Sequence, residues 1–355
     1  MSGPVDSSNR DRRLVITPGP AIRTDVHNHV IPPPVLELFG DFPAFDVEIR
    51  NDRWQGGNHV DFDLNPAFLG VDAKLAELDE NEIDRAVLSA APPLFYYELG
   101  IDLAEPLCEA VNRGLREFHA AAPDRLLWMA HVPMQSPSNA VRMLEAAAVE
   151  DGCVGVEIGS SIAGRRLDEL EFEPFWDAAE ELSLPVMIHP DLTYTALEAI
   201  KPYYLGNVIG MPLETTITVE RLIAAGVFSR HPDLRVLLVH GGGYFPYQGG
   251  RLKHAATVRP ELADSPPDPW TFVNQLWFDV ITHDEQALAY LVSRVGADRV
   301  VLGTDLPFDM ALRDPLLCIE RSVGSTVAHQ IAAVNPAELF GLEVPGVLSA
   351  KDARG

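Results

Sequence analysis

Four short apolar runs in this chain each end in a residue able to bind a metal ion. The first begins at Ile22 and closes on His27-Asn28-His29. Side chains alternate along an extended backbone, so His27 and His29 point the same way. Pro185-Val-Met-Ile ends in His189, Val236-Leu-Leu-Val in His240, and Val300-Val-Leu-Gly-Thr in Asp305. Any one of these alone reads as a core or solvated side chain. Together, at four strand ends, they read as one site. Pro32, Pro33 and Pro34 follow the first run and predict neither a regular helix nor a central strand there.

Between these runs the chain alternates β-type and helical patterns. Further strands are expected at Arg85 to Ala90, Leu126 to His131, Cys153 to Ile158 and Leu276 to Asp279. Helices are expected near 72–81, 104–121, 137–149, 167–182, 214–228, 244–256, 285–295, 315–323 and 327–334. Eight strands alternating with helices imply parallel β/α units with right-handed crossovers. Eight such units close into a (β/α)8 barrel, here distorted by inserts, with its site at the C-terminal strand ends. A doubly wound open sheet is the alternative, but no Gly-x-Gly-x-x-Gly follows the first strand. The expected organisation is a tail over 1–20, one barrel domain over 21–345 and a C-terminal tail over 346–355. Two inserts, near 31–71 and 191–213, read as long irregular loops, a length that usually carries function.

A formal charge of −25 argues against nucleic acid or an anionic membrane as partner. An anionic substrate must therefore be drawn in by a local cation. Cys108, Cys153 and Cys318 are odd in number and widely spaced, giving neither a disulfide framework nor a Cys-x-x-Cys metal motif. With no apolar run near 18 residues and no apolar signal core, a cytoplasmic protein is expected.

Three imidazoles and a carboxylate at a barrel mouth suit Zn²⁺, with a position left for water. His27, His29, His189 and Asp305 are the expected ligands, and His240 the general acid or base beside them.

The motifs carry a resemblance. Asp25-Val-His-Asn-His29, Pro133-Met-Gln-Ser-Pro137, Val156-Glu-Ile-Gly159, Ile188-His-Pro190, Ile209 to Thr216, His240-Gly-Gly-Gly-Tyr-Phe-Pro246, Gly250-Arg251 and Leu302 to Phe308 are similar, as a set, to the aminocarboxymuconate-semialdehyde decarboxylase group of the metal-dependent amidohydrolase superfamily. The resemblance spans about 22 to 343. It implies one Zn²⁺, or another divalent ion such as Mn²⁺, per chain on His27, His29, His189 and Asp305. It makes His240 and Asp305 catalytic. It implies Arg50, with Arg53 as the alternative, as a binder of the substrate carboxylate, and Arg251 as a second arginine lent across a homodimer interface. Guanidinium suits that task because it binds carboxylate bidentately. Phe95, in an aromatic loop, and Asp191 are expected to touch substrate. Two departures bear on the pocket: Asp191 stands where the group has an aromatic residue, and the loop between His29 and Arg50 is shorter than usual; Glu157, besides, sits where the group often has a neutral residue. The implied activity is a cofactor-independent decarboxylase of an unsaturated or aromatic carboxylate. The alternative is a hydrolase or hydratase using metal-bound hydroxide on a lactone, amide or double bond.

Overall fold

The structure is a computed structural model describing residues 22–57, 60–191 and 198–342. The expected tails over 1–20 and 346–355 lie outside the described residues. Eight parallel strands pair in chain order: β1 (Thr24–Val30), β2 (Arg85–Ala90), β3 (Leu126–His131), β4 (Cys153–Gly159), β5 (Val186–His189), β6 (Val236–Leu238), β7 (Leu276–Asp279) and β8 (Val300–Val301). The chain beyond β8 closes the ring onto β1. Val26 N–H donates to the Leu302 carbonyl (2.9 Å), His29 N–H to Leu306 (2.8 Å) and Asp305 N–H to His27 (2.8 Å). The expected (β/α)8 barrel is therefore the fold.

The strands are apolar on both faces because both are covered. Val26, Val87, Met129, Met187, Leu237, Val239, Trp277 and Val301 form the inner core, with Leu339 and Phe340 packed against it. The outer faces pack on crossover helices. Helix Pro137–Ala147 starts on a proline whose missing N–H costs nothing there, and buries Ala140, Met143, Leu144 and Ala147 along one stripe. Helix Glu285–Val295 is capped by the Asp284 carboxylate, which accepts from Ala287 N–H at 2.8 Å.

Several expectations need correction. Pro33 opens a helix, Pro33–Asp41, because prolines in a first turn forfeit no helical hydrogen bond. The 31–71 insert also holds an antiparallel sheet of Val47–Arg50, Arg53–Gly56 and Val60–Asp63. Its first turn, Asn51-Asp52, has φ of 51° and 57°, as a two-residue hairpin requires. Trp54, fully buried, anchors this sheet on the barrel. The helix expected over 167–182 is only Glu173–Glu181, preceded by the small hairpin Ser161–Ile162 and Arg165–Arg166. The 214–228 helix is split by Gly226 (φ 75°) into Met211–Ala224 and Val227–Arg230. Regular pairing stops short of two expected site residues. His240 and Asp305 have φ of 54° and 65°, outside the strand region and uncommon for non-glycine residues. Such backbone is typical of functional sites. In the second insert, 192–197 lie outside the described residues, and short helical turns at Glu198–Ile200, Pro202–Tyr204 and Gly206–Gly210 lead into the next helix.

Candidate active site

The ends of β1, β5 and the segment after β8 bring His27, His29, His189 and Asp305 together. One ligand atom from each lies within 4.8 Å of all the others. Asp305 Oδ1 is 3.2 Å from His29 Nε2 and 3.5 Å from His27 Nε2, and those two nitrogens are 3.0 Å apart. The far side of each ring is anchored. His27 Nδ1 lies 2.9 Å from Asp279 Oδ2, His29 Nδ1 3.0 Å from the Ala90 carbonyl, and His189 Nδ1 3.0 Å from the Pro190 carbonyl. Donation from Nδ1 leaves the Nε2 lone pairs facing one point, the usual arrangement behind metal-binding histidines. His189 Nε2 and Asp305 Oδ1 are buried without a hydrogen-bond partner. Buried polar atoms rarely go unsatisfied, so this donor set fits a divalent cation. Burial pushes His29 down to about 4 and His189 well below its usual range, keeping both neutral and able to ligate at pH 7. Burial also opposes ionisation of Asp305, but the neighbouring His240, His29 and His27 rings outweigh it and hold the carboxyl well below its usual range.

His240 stands at the rim. Its Nε2 is 3.6 Å from Asp305 Oδ2, its Nδ1 has no partner, and its ring lies 5.3 Å from that of His189. The turn that carries it needs glycine. A Cβ on Gly243 (φ 61°) would meet the Pro212 carbonyl oxygen at 2.2 Å, and one on Gly242 would meet the Phe278 ring at 2.5 Å.

Asp279, at the end of β7, is the residue that sequence reasoning left without a role. Its Oδ2 accepts from His27 and from His240 N–H (3.0 Å), its Oδ1 from Gly241 N–H (2.7 Å) and Ile281 N–H (3.1 Å). It thus fixes a cluster histidine and the rim histidine at once. The signal that could have found it is its place, as a strand-end carboxylate between the strands of His240 and Asp305.

Aromatic rings flank the cluster. Phe95 meets the His189 ring edge-on at 6.2 Å and stacks on His131 and Tyr97. On the other side Phe308 lies 5.5 Å from His29, backed by Phe62 and Phe68. Asp191 follows His189-Pro190, and its N–H donates to Ser160 Oγ at 2.9 Å. Glu157 is buried, its Oε1 3.8 Å from His29 Nδ1, with neither oxygen hydrogen-bonded, and burial raises its pKa well above the usual range. The arginines are not gathered in. Arg50 is exposed on the small sheet and pairs with Glu48, while Arg53 pairs with Asp61 (2.7 Å) and Asp63. Arg251 is exposed on helix Phe245–Val258 and makes no ion pair among the described residues.

The amidohydrolase family profile matches residues 24–342. The chain is 32% identical over 276 residues to the 2-amino-3-carboxymuconate-6-semialdehyde decarboxylase of Dictyostelium discoideum, covering 77% of each chain. The apo structure of the IDCase of Metarhizium anisopliae has the same fold, with a TM-score of 0.79 at 23% identity, over 91% of this chain and 97% of that one. The 5-carboxyvanillate decarboxylase of Novosphingobium aromaticivorans, crystallised with manganese and 4-hydroxy-3-methoxy-5-nitrobenzoic acid, shares it at a TM-score of 0.75 and 22% identity, over 92% and 99%. This chain belongs to the amidohydrolase family, in its group of metal-dependent decarboxylases.

Proposed function

We propose that the enzyme removes carbon dioxide from an unsaturated or aromatic carboxylate, using His27, His29, His189 and Asp305 to hold one Zn²⁺ per chain, with Mn²⁺ as the alternative ion. The observation that carries this is the convergence of four buried ligand atoms within 4.8 Å. A divalent ion held there supplies a Lewis acid that polarises a substrate oxygen next to the reacting carbon. The residues do the rest. As the carbon–carboxylate bond breaks, its electron pair stays on carbon and must take up a proton. His240 stands at the rim beside the cluster, its Nε2 3.6 Å from Asp305 Oδ2 and its Nδ1 without a partner, which supports it as the group that carries that proton. Asp279 holds His240 by its backbone and so aims the ring. Phe95 and Phe308 supply flat walls suited to a planar substrate, and Asp191 lies one residue past the His189-Pro190 step.

Arg251 serves a neighbouring subunit in this proposal. Tyr247 is 76% exposed on the same helix, near Tyr290, which is 44% exposed. A patch of exposed aromatic rings on a charged protein is well suited to a partner, and a homodimer would cover it. Arg50 remains the first choice for a substrate carboxylate from the chain itself; releasing it requires only an exposed pair with Glu48 to open. Residues 21–345 act as the catalytic unit. Three free thiols support a reducing, cytoplasmic setting; no helix among the described residues is long and apolar enough to cross a membrane. The test is a panel of aromatic and unsaturated acids given to metal-loaded protein, following substrate absorbance and carbon dioxide together. Turnover without carbon dioxide would favour the hydrolase or hydratase alternative.

A further inference from the structure

Lys74 lies on helix Val71–Glu80 and is completely buried. An isolated ammonium in that position is costly, so its partners show what it is for. Its Nζ donates to Asn28 Oδ1 at 2.7 Å, to the His29 carbonyl at 3.2 Å and to Glu77 Oε2 at 3.0 Å. Asn28 is the residue between the two cluster histidines. Its amide passes the contact on, donating to Asp25 Oδ2 at 2.9 Å. Asp25, also fully buried, accepts from His27 N–H (3.1 Å), Thr304 N–H (3.1 Å) and Thr304 Oγ1–H (2.6 Å). Thr304 is the neighbour of Asp305. One chain of hydrogen bonds therefore runs from a helix on the barrel's outside to the backbone on either side of three of the four cluster residues.

This chain sits where the pairing of the sheet is irregular. The pairing of β1 with β2 shifts register between Asp25 and Asn28. Such an irregularity disrupts the ladder locally and re-aims a side chain, commonly beside an active site. The His27 carbonyl turns instead to the last segment, accepting from Thr304 N–H (3.3 Å) and Asp305 N–H (2.8 Å). With regular pairing interrupted on one side and only two residues long in β8, side chains must hold the register.

We propose that Lys74 is a positioning residue for the metal site: through Asn28 and Asp25 its ammonium locks β1 against the turn bearing Asp305, and so sets the affinity of His27, His29 and Asp305 for a divalent ion. The inference rests on the metal site proposed above. Lys74→Met removes the charge and keeps the stem. In the full-length protein, the dissociation constant for Zn²⁺ is measured by competition with a chromophoric chelator, and the visible bands of the Co²⁺-loaded protein report ligand geometry. Outer partners of metal ligands are worth about 10- to 100-fold in affinity. The expected result is a rise of that size in the dissociation constant with shifted Co²⁺ bands. Asn28→Ser, which leaves the Lys74–Glu77 pair intact, should do the same, and the double variant should be no worse than the more severe single one, because both break one chain. Asn28→Ser also carries the test alone should Lys74→Met fail to fold. Unchanged affinity and an unchanged Co²⁺ spectrum, even with a lower melting temperature, overturn the role of Lys74 and leave it to stability. Wild-type protein that binds no divalent ion overturns the site assignment itself.

Discussion

Replacing Asp279 with Asn keeps the shape of the side chain and changes one oxygen into an N–H₂ group. Both carboxylate oxygens are fully used: Oδ2 faces His27 Nδ1 and His240 N–H, Oδ1 faces Gly241 N–H and Ile281 N–H. Whichever way the amide is turned, two donors confront its NH₂. Leaving a buried donor unsatisfied costs about 1–3 kcal/mol. The amide has one escape when it faces His27: that ring can move its proton to Nε2 and accept at Nδ1. The escape consumes the lone pair that faces the cluster. Relief of the fold is therefore bought from metal affinity. The expected loss is about 10- to 100-fold in binding, or about 1.4–2.8 kcal/mol. Chelator competition measures the affinity, and melting with and without added metal measures the gap between the two states. The variant should show a smaller metal-induced rise in melting temperature than wild type. A dissociation constant within twofold of wild type would refute the assignment of Asp279 as the group that fixes the His27 tautomer.

Three further outcomes are expected. His189→Ala should lose metal and turnover together, whereas His240→Ala should keep its metal and lose about 10²–10⁴ in rate, as for a lone acid–base group; metal analysis beside carbon dioxide assays separates the two, and loss of metal in His240→Ala would make it a ligand. Mixing inactive Arg251→Ala with inactive His240→Ala and allowing subunit exchange should restore about one quarter of wild-type activity, because half of randomly paired C₂ dimers are mixed and each has one intact site; no recovery despite demonstrated exchange puts Arg251 in its own subunit's site or outside catalysis. His131 is buried with both ring nitrogens unpartnered, and burial lowers its pKa to about 4. The unfolded chain therefore takes up a proton below about 6.5 that the folded one refuses until about 4, so stability falls as pH drops through that window, by about 2 kcal/mol at pH 5. His131→Phe should flatten this limb in urea unfolding at pH 5 against pH 7.5, and an unchanged limb would show that His131 is not the group responsible.

The strands and the four cluster residues were legible because each signal was local: an apolar run, then a ligand type. The His27-x-His29 alternation survives in the structure despite the irregular register beside it. What escaped was relational. Lys74 sits in Val71-Asp-Ala-Lys-Leu-Ala-Glu-Leu-Asp-Glu80, where every charge reads as solvated; nothing local shows that Lys74 and Glu77 face inward with Leu78. Asp279 reads as the polar end of a strand until its neighbours in space are known. The small sheet was hidden because its strands are four residues each and its turn uses Asn51-Asp52 without glycine. The resemblance points to Arg50, with Arg53 as the alternative, and neither it nor guanidinium chemistry says that the carboxylates they pair with are Glu48, Asp61 and Asp63.

The seam between β1 and the last segment has a consequence for how the protein is made. Asp25 and Thr304 are 279 positions apart, yet their bond helps to shape the cluster. While a ribosome is still adding residues, His27 and His29 have emerged early and Asp305 has not. A chain that stops short of residue 305 holds at most the three histidines, His27, His29 and His189, without the carboxylate and on a ring that has not closed. High-affinity capture of the ion must wait until the final unit docks and the ring shuts, and contacts of such long range form slowly. At the site proposed above, metal uptake would therefore follow closure of the ring. Chains that stop short of residue 305 should be distinguishable by their empty sites and left to the cell's proteases.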